Sequence, residues 1–288
     1  MRKLLIILWL IVGSLTINAQ VVKTSVVYAP PAVAASYCDE YQAVYNALDA
    51  KPGTDTASAQ NTLVASAKTH GWWAEADVIY VTAQRTEAGA LLNWKASTGD
   101  DNLTNTTSTA FTKYQGFTGA SGTSESMSTN FTPSSEGVNY TQDDAGLAVY
   151  TRIDINAGEC AIGVDQGSND ISIYPRTAGS ILSRVNCTTN VTEATANSLG
   201  LSSVSRSNAT TVFTYKNGAV LDADGDASNS VGLSTSAITV LSLSASSYSN
   251  NQVSFVFIGG YLTDAQQAFM FTDIETYLDF VGAGVVAP

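Results

Sequence analysis

The sequence predicts a mainly β protein: an antiparallel β-sandwich that follows a small helical segment and is closed by a C-terminal helix. Three observations predict this fold class. After residue 95, short runs of alternating apolar and polar residues are separated by Gly, Asn, Ser and Thr. Between residues 36 and 90, apolar residues instead recur with helical spacing. Residues 263–282 combine a helix-capping motif, an apolar stripe and a closing glycine.

Residues 1–20 have the composition of a secretory signal peptide. Arg2 and Lys3 precede an apolar run at 4–12, and Ala19 supplies a small residue at the expected cleavage point. The run is shorter than the ~20 residues that a membrane-spanning helix needs. We therefore expect either a signal peptide that is cleaved after Ala19 or an uncleaved N-terminal anchor.

Residues 21–95 are expected to form an extended linker and a helical lead. Pro30 and Pro31 exclude regular helix in the linker. Thr56 is a candidate cap for a second helix of the lead that runs up to Gly71, and residues 74–84 have the pattern of a short third helix. The first helix is indicated by apolar residues that share one helical face, namely Tyr37, Tyr41, Val44, Tyr45 and Leu48.

The β-sandwich is expected to occupy residues 96–288. Its strongest local signal is Asn217-Gly218 between two alternating runs, because both residues tolerate the positive φ of a tight hairpin turn. The expected strands cover 110–114, 127–130, 145–153, 160–164, 170–174, 212–215, 238–243 and 253–258.

The closing helix has a clear beginning and end. Thr263 and Gln266 have the spacing of a capping box, in which each side chain satisfies a backbone N–H of the other. Gly282 is a natural stop. The apolar stripe between them comprises Phe269, Met270, Ile274, Tyr277, Leu278 and Val281.

Composition excludes two classes of function. The 288 residues include 13 Lys and Arg against 25 Asp and Glu, a net charge of −12. Since phosphate contacts need clustered cations, we expect no nucleic-acid partner. The single histidine, His70, excludes multi-histidine metal sites.

The three cysteines leave two alternatives open. Cys160 and Cys187 either form a disulfide between neighbouring strands or remain buried thiols, and Cys38 is left over in both cases.

The acidic run Asp222, Asp224 and Asp226 is a candidate calcium site, because alternating carboxylates converge on a hard cation. The run departs from an EF-hand, which has Gly at its sixth position and Glu at its twelfth. Here Ala227 and Leu233 stand at those positions. A polar loop without a metal is the favoured alternative, so the expectation is no cofactor, with Ca²⁺ as the exception.

No pattern in the sequence indicates catalysis. Neither closely spaced acids on one strand nor a G-x-S-x-G motif occurs, and His70 lies at a predicted helix end, where a structural role is typical. We therefore expect a protein that is not an enzyme.

Aromatic and amide residues in the expected loops indicate carbohydrate contact. Tyrosine rings stack on sugar faces, and asparagine supplies directional hydrogen bonds. The candidate ligand-binding residues are Tyr140, Tyr174, Tyr248 and Asn250.

An ordered set of short motifs resembles a module of bacteriophage and prophage virion proteins, chiefly tail-fibre and head-decoration types. The set spans about residues 40–283 and ends with the capped C-terminal helix. Its other members lie at 70–73, 77–80, 91–95, 114–119, 130–134, 140–142 and 215–218. The resemblance implies a helical lead followed by a concanavalin A-like (laminin-G-like) jelly roll, and it brings no catalytic residues.

The resemblance also implies a function. We expect a non-enzymatic virion surface protein, a spike, fibre or head decoration, whose jelly roll attaches to host glycans or to neighbouring subunits. Its partners would be copies of itself in a homo-oligomer (a trimer is one candidate), other virion proteins and host surface glycans. The alternative is an exported bacterial lectin-like or glycan-processing protein that is secreted or held at the cell surface.

Overall fold

A computed structural model of the chain describes residues 36–96, 100–122, 124–167, 170–244 and 246–287. From Ser36 onward the chain forms one compact unit. The expected signal peptide or anchor at 1–20 and the linker up to residue 35 lie outside the described residues.

The described helices are concentrated at the two ends of this unit. They are α1 (Asp39–Ala47), α2 (Thr54–Thr69), α3 (Trp72–Glu75), α4 (Glu87–Ala90), α5 (Pro133–Glu136) and α6 (Asp264–Val281).

The strands lie mostly between these two groups of helices. They are β1 (Ala76–Val81), β2 (Thr104–Asn105), β3 (Ala110–Thr112), β4 (Gly116–Thr118), β5 (Met127–Ser128), β6 (Ala145–Thr151), β7 (Ile162–Val164), β8 (Asp170–Thr177), β9 (Ser180–Cys187), β10 (Val191–Ala194), β11 (Gly200–Arg206), β12 (Thr211–Lys216), β13 (Ala219–Val220), β14 (Asp226–Ala227), β15 (Thr239–Val240) and β16 (Gln252–Gly259).

Two antiparallel sheets form the sandwich. The larger sheet has the order β13-β12-β11-β6-β16-β4-β3, with β1 also on β16 and β14 on β12. The smaller sheet has the order β10-β9-β8-β7-β15-β5-β2. The expected antiparallel β-sandwich with terminal helices is therefore confirmed, and each strand expected from the sequence overlaps an observed one.

The larger sheet is buried on both faces. Successive side chains of a strand point to opposite faces, so β6 and β16 supply two apolar layers. The layer between the sheets includes Val78, Leu147, Val149, Ile173, Val204, Val256 and Ile258. The layer under the helices includes Leu63, Ala148, Tyr150, Phe255, Phe257, Met270, Ile274 and Leu278.

The closing helix α6 has the ends that the sequence predicts. Thr263 and Gln266 form the capping box, and Gly282 takes the left-handed conformation with φ +77°. Hydrogen bonds from the larger sheet also fix α6, because Tyr150 Oη donates to Glu275 Oε2 at 2.6 Å and Ser203 Oγ to Gln267 Oε1 at 2.8 Å.

The helical lead differs from its prediction in one element. The expected third helix at 74–84 is wrong, because only Trp72–Glu75 is helical and Ala76–Val81 forms β1. The strand is favoured because Val78 and Tyr80 face the layer between the sheets while Ile79 and Val81 face the helices. Since β1 pairs with β16, the lead does not stop at residue 95 as a separate unit.

Of the two cysteine alternatives, the structure has the buried thiols. Cys160 Sγ donates to the carbonyl oxygen of Ile162 at 3.1 Å, and Cys187 Sγ to that of Thr189 at 3.3 Å. None of the helices in the described ranges has the length and apolar character that crossing a membrane requires.

The last residue of β12, Lys216, directs its ammonium group between the sheets. Its Nζ donates to the carbonyl oxygen of Ser198 at 3.0 Å and to Ser202 Oγ at 3.1 Å. Burial lowers its pKa to about 7, and the charge of Asp154 offsets only part of that shift.

We predict that Lys216→Met removes a pH dependence of stability. The folded pKa of Lys216 lies below its ordinary value of 10.5. Between these two values the unfolded chain binds more protons, so the contribution of Lys216 to stability rises with pH. The free energy of unfolding should be measured in urea at about pH 7 and about pH 10. The difference between wild type and variant should shift in favour of the wild type at the higher pH. The exposed Lys113 gives the control, Lys113→Met, and an equal wild-type to Lys216→Met difference at both pH values would contradict the prediction.

Candidate functional site

A cleft of about 370 Å³ lies on the outer face of the smaller sheet. Alternation along β8 explains its walls, because Ile171 and Ile173 enter the core whereas Ser172 and Tyr174 point outward. The described residues that line it are Gly158, Asp165, Asp170, Ser172, Tyr174, Thr177, Leu182, Arg184, Asn190, Leu243 and Ser247.

Tyr174 gives the cleft a partly exposed aromatic ring. Burial raises the pKa of its phenol, the nearby Cys160 raises it further, and a hydrogen bond with Ser247 lowers it again. The phenol is thus neutral at physiological pH. Leu182 and Leu243 line the same cleft, so it combines an apolar surface with polar groups at its rim.

An ion pair on β8 and β9 forms the polar side of the cleft. Ser172 and Arg184 are opposite each other in the register, and Arg184 reaches diagonally so that its Nη1 donates to Asp170 Oδ2. Arg184 Nε donates to Asn190 Oδ1 at 2.6 Å. Asp170 is almost fully buried and also accepts the backbone N–H of Gln166 at 3.1 Å.

The structure separates the four candidate ligand-binding residues. Tyr174 lines the cleft, and Tyr248 and Asn250 follow Ser247 of the cleft in the chain. Asn250 is exposed, and its backbone N–H donates to Glu159 Oε2 at 2.8 Å. Tyr140 is different: it is fully buried, and its hydroxyl donates to Asn186 Oδ1 at 2.8 Å. It therefore offers no ring face to a ligand.

Sequence reasoning missed Asp170, Arg184 and Asn190. Arg184 and Leu182 lie on β9, which was not among the expected strands. Its signal is the alternation of Ile181 and Val185 with outward residues after a tight turn at 178–179, where both residues have positive φ.

The acidic loop forms a cluster whose membership differs from the expected one. One carboxylate oxygen each of Glu193, Asp222 and Asp226 lies within 4.8 Å of the others. Asp224 is not a member, since it is exposed and its backbone N–H donates to Asp222 Oδ1 at 3.0 Å. Glu193 comes from β10, so the sequence run alone did not reveal it.

When all three carboxylates of this cluster are charged, they destabilise the folded protein, because they are partly buried and repel one another. Burial raises the pKa of Glu193 and of Asp226, and the neighbouring carboxylates add to the shift of Glu193. Asp226 Oδ2 is buried without a donor among the described residues. A proton shared with Glu193 would satisfy it, and so would a hard cation, because carboxylate oxygens are ligands that Ca²⁺ prefers.

We predict that Asp226→Asn stabilises the protein at neutral pH. Because the folded pKa of Asp226 is raised, its cost to stability is present above the ordinary carboxyl range and is lost as pH falls. The variant should therefore have a higher Tm than the wild type at about pH 7 and an equal one near pH 3. Asp224→Asn, outside the cluster, should change neither value.

A Ca²⁺ ion bound by the cluster should offset the repulsion between its carboxylates, as removal of the Asp226 charge does. Millimolar CaCl₂ should then raise the Tm of the wild type and leave that of Asp226→Asn unchanged. An unchanged wild-type Tm would favour the polar-loop alternative.

Comparisons with known proteins reveal similarity only at the level of structure. No family model matches the chain, and no curated protein matches its sequence. A structure from work on ganglioside-dependent cell entry of botulinum neurotoxin type C superposes with a TM-score of 0.50 and 12% identity, covering 72% of this chain and 53% of that chain. The likeness is one of fold.

Two further structures superpose on the chain with lower TM-scores. The binding domain of botulinum neurotoxin DC, solved with rat synaptotagmin II, has a TM-score of 0.49 and 13% identity, covering 70% of this chain and 52% of its own. Domain 4 of AbnA, an extracellular arabinanase of Geobacillus stearothermophilus, was solved with arabinotriose. It has a TM-score of 0.41 and 13% identity, covering 68% of this chain and 98% of its own. The chain spans about half the length of the neurotoxin chains that it matches. The likeness to the type C neurotoxin structure is limited to the fold, an antiparallel β-sandwich.

Proposed function

We propose that the chain is a non-enzymatic glycan-binding protein and that the cleft on the outer face of the smaller sheet is its binding site. The observation that carries this proposal is the partly exposed ring of Tyr174 on β8. It lies beside outward-facing polar side chains of β8 and β9. A sugar presents C–H groups on its face and hydroxyls at its edge. A neutral aromatic ring next to hydroxyl, amide and carboxylate groups complements both.

The size of the cleft supports this assignment. Its volume of about 370 Å³ lies in the range of roughly 300–1,000 Å³ that is usual for small-ligand pockets. Because β8 and β9 pair along most of their length, the groups that they carry are held in place before a ligand arrives. The type C neurotoxin, which has a comparable fold, depends for its cell entry on interaction with two ganglioside molecules.

The proposal that the protein is not an enzyme follows from what the candidate catalytic groups already do. Asp170 is bound to Arg184, so it does not act as a free acid or base opposite Asp165. His70 lies on the helical side of the larger sheet. Its Nδ1 is 2.8 Å from Asp273 Oδ2, and its ring stacks on Phe269 at 4.1 Å, as expected of a packed structural residue.

We predict that Tyr174→Ala weakens glycan binding. Removing the ring deletes the aromatic contact that Tyr174 offers to a ligand in the cleft, so affinity for a glycan selected on an array should fall about tenfold or more. Tyr174→Phe keeps the stacking face and should bind within a few-fold of the wild type. Titration calorimetry measures all three proteins.

Tyr114, a partly exposed tyrosine next to β3 in the larger sheet, provides the matched control. Tyr114→Ala should leave affinity unchanged. Equal affinity of wild type and Tyr174→Ala would refute the assignment of the site.

We also propose that the protein acts at a virion surface as a homo-oligomer, with a trimer as the specific form, alongside other virion proteins. The motif resemblance to phage tail-fibre and head-decoration proteins supports this location. The alternative is an exported bacterial protein, secreted or at the cell surface, and the signal-like residues 1–20 support it.

The mature N-terminus distinguishes these locations. For the virion protein we expect mass spectrometry of purified particles to detect the peptide that begins at Met1. Cleavage after Ala19 in a protein recovered from culture medium would instead establish the exported alternative.

A further inference from the structure

We infer that the cleft selects uncharged saccharides and rejects acidic ones such as uronic or sialic acids; this inference rests on the proposed function. It starts from the charges of the lining. Two carboxylates, Asp165 and Asp170, and one guanidinium, Arg184, are the ionised groups among the described lining residues. The lining therefore carries one net negative charge, within a chain whose net charge is −12.

Among the described lining residues Arg184 is the one cation, and it already donates to two protein groups. An arginine holds a carboxylate with two parallel N–H donors, using either Nε and Nη2 or Nη1 and Nη2. Here Nε donates to Asn190 and Nη1 to Asp170. These bonds use the single N–H of Nε and one N–H of Nη1, so the arrangement that needs Nε is closed to a ligand, and Nη1 already serves the carboxylate of Asp170.

Displacing Asp170 from this pair is unfavourable. Its side chain is only 6% exposed, so loss of Arg184 would leave a buried carboxylate without its counter-charge. An incoming sugar carboxylate would also meet the charge of Asp165 on the rim of the cleft. Both effects oppose acidic ligands.

The remaining polar groups suit neutral ligands. Ser172, Tyr174, Thr177 and Ser247 carry hydroxyls, and Asn190 carries an amide. Hydroxyl groups donate and accept, as the hydroxyls of an uncharged sugar do, and none of these groups requires a charged partner.

The test compares matched sugars that differ only in charge. Oligosaccharides of glucose and galactose are titrated into the wild-type protein next to the corresponding glucuronic and galacturonic acid oligomers. We expect the neutral member of each pair to bind about tenfold more tightly at low ionic strength. Raising the salt to about 0.5 M should narrow that ratio, because screening weakens repulsion.

Asp170→Asn isolates the cause. It removes one negative charge and frees Arg184 Nη1, so affinity for the acidic oligomers should rise and the preference should shrink to within about threefold. Asp224→Asn is the control, because Asp224 is exposed and lies outside the lining. It should leave the preference unchanged.

The outcomes separate the two proposals. Equal or tighter binding of the acidic oligomers by the wild type would overturn the inference and leave the glycan-binding function standing. Absence of binding to any oligomer would overturn both. If Asp170→Asn does not fold, as circular dichroism would show, the salt dependence of the wild-type ratio decides, and a ratio that salt does not change would overturn the electrostatic explanation.

Discussion

The pairing of β16 with its neighbours is the constraint on which the other layers depend. β16 pairs with β6 and, along its other edge, with β1 and β4, so it joins the helical lead to the sandwich. Its side chains alternate between two environments: Phe255 and Phe257 support the helices, while Val256 and Ile258 fill the space between the sheets. A shift of one residue would exchange these two sets and would place aromatic rings between the sheets. This register therefore fixes both where the helices lie and how closely the second sheet approaches.

The position of the cleft follows from contacts behind the smaller sheet. Arg206 is fully buried, and its guanidinium donates to the carbonyl oxygens of Val185 and Ser228 at 3.0 and 3.1 Å. These bonds join β9 to β11 across the interior without a buried carboxylate, at the cost of removing the charge from water. Tyr140 supports β9 in the same place through Asn186. Asn186 lies two residues after Arg184 on β9. The buried Tyr140 therefore helps to hold Arg184 in the cleft.

Sequence patterns predicted the elements whose information is local. The alternation of β6 and β16, the Asn217-Gly218 turn with φ of 49° and 77°, and the capping box of α6 each depend on neighbouring residues alone. The prediction failed where partners are distant. β11 was not among the expected strands, because its buried serines find their partners far away in the chain, as when Ser205 Oγ accepts the N–H of Leu262. The same distinction holds for the candidate site. Tyr174 could be identified from its residue type, whereas Arg184 and Asp170 come together only through the pairing of β8 and β9.

The Asp170–Arg184 pair shows why charge in this cleft is a property of the fold as well as of the site. The pair lies where the register of β8 and β9 shifts, between Asp170 and Ser172, and it bridges that irregularity diagonally. A buried carboxylate needs its partner for stability, so Arg184 is retained by the strand pairing whether or not a ligand is present. Because Asp170 neutralises it, Arg184 adds little net charge to the cleft, and its main effect is to fix the shape of the lining. Under the proposed function, a ligand would be recognised mainly by ring contact with Tyr174 and by neutral hydrogen bonds, which favours a partner with many hydroxyl groups over one with a single strong charge.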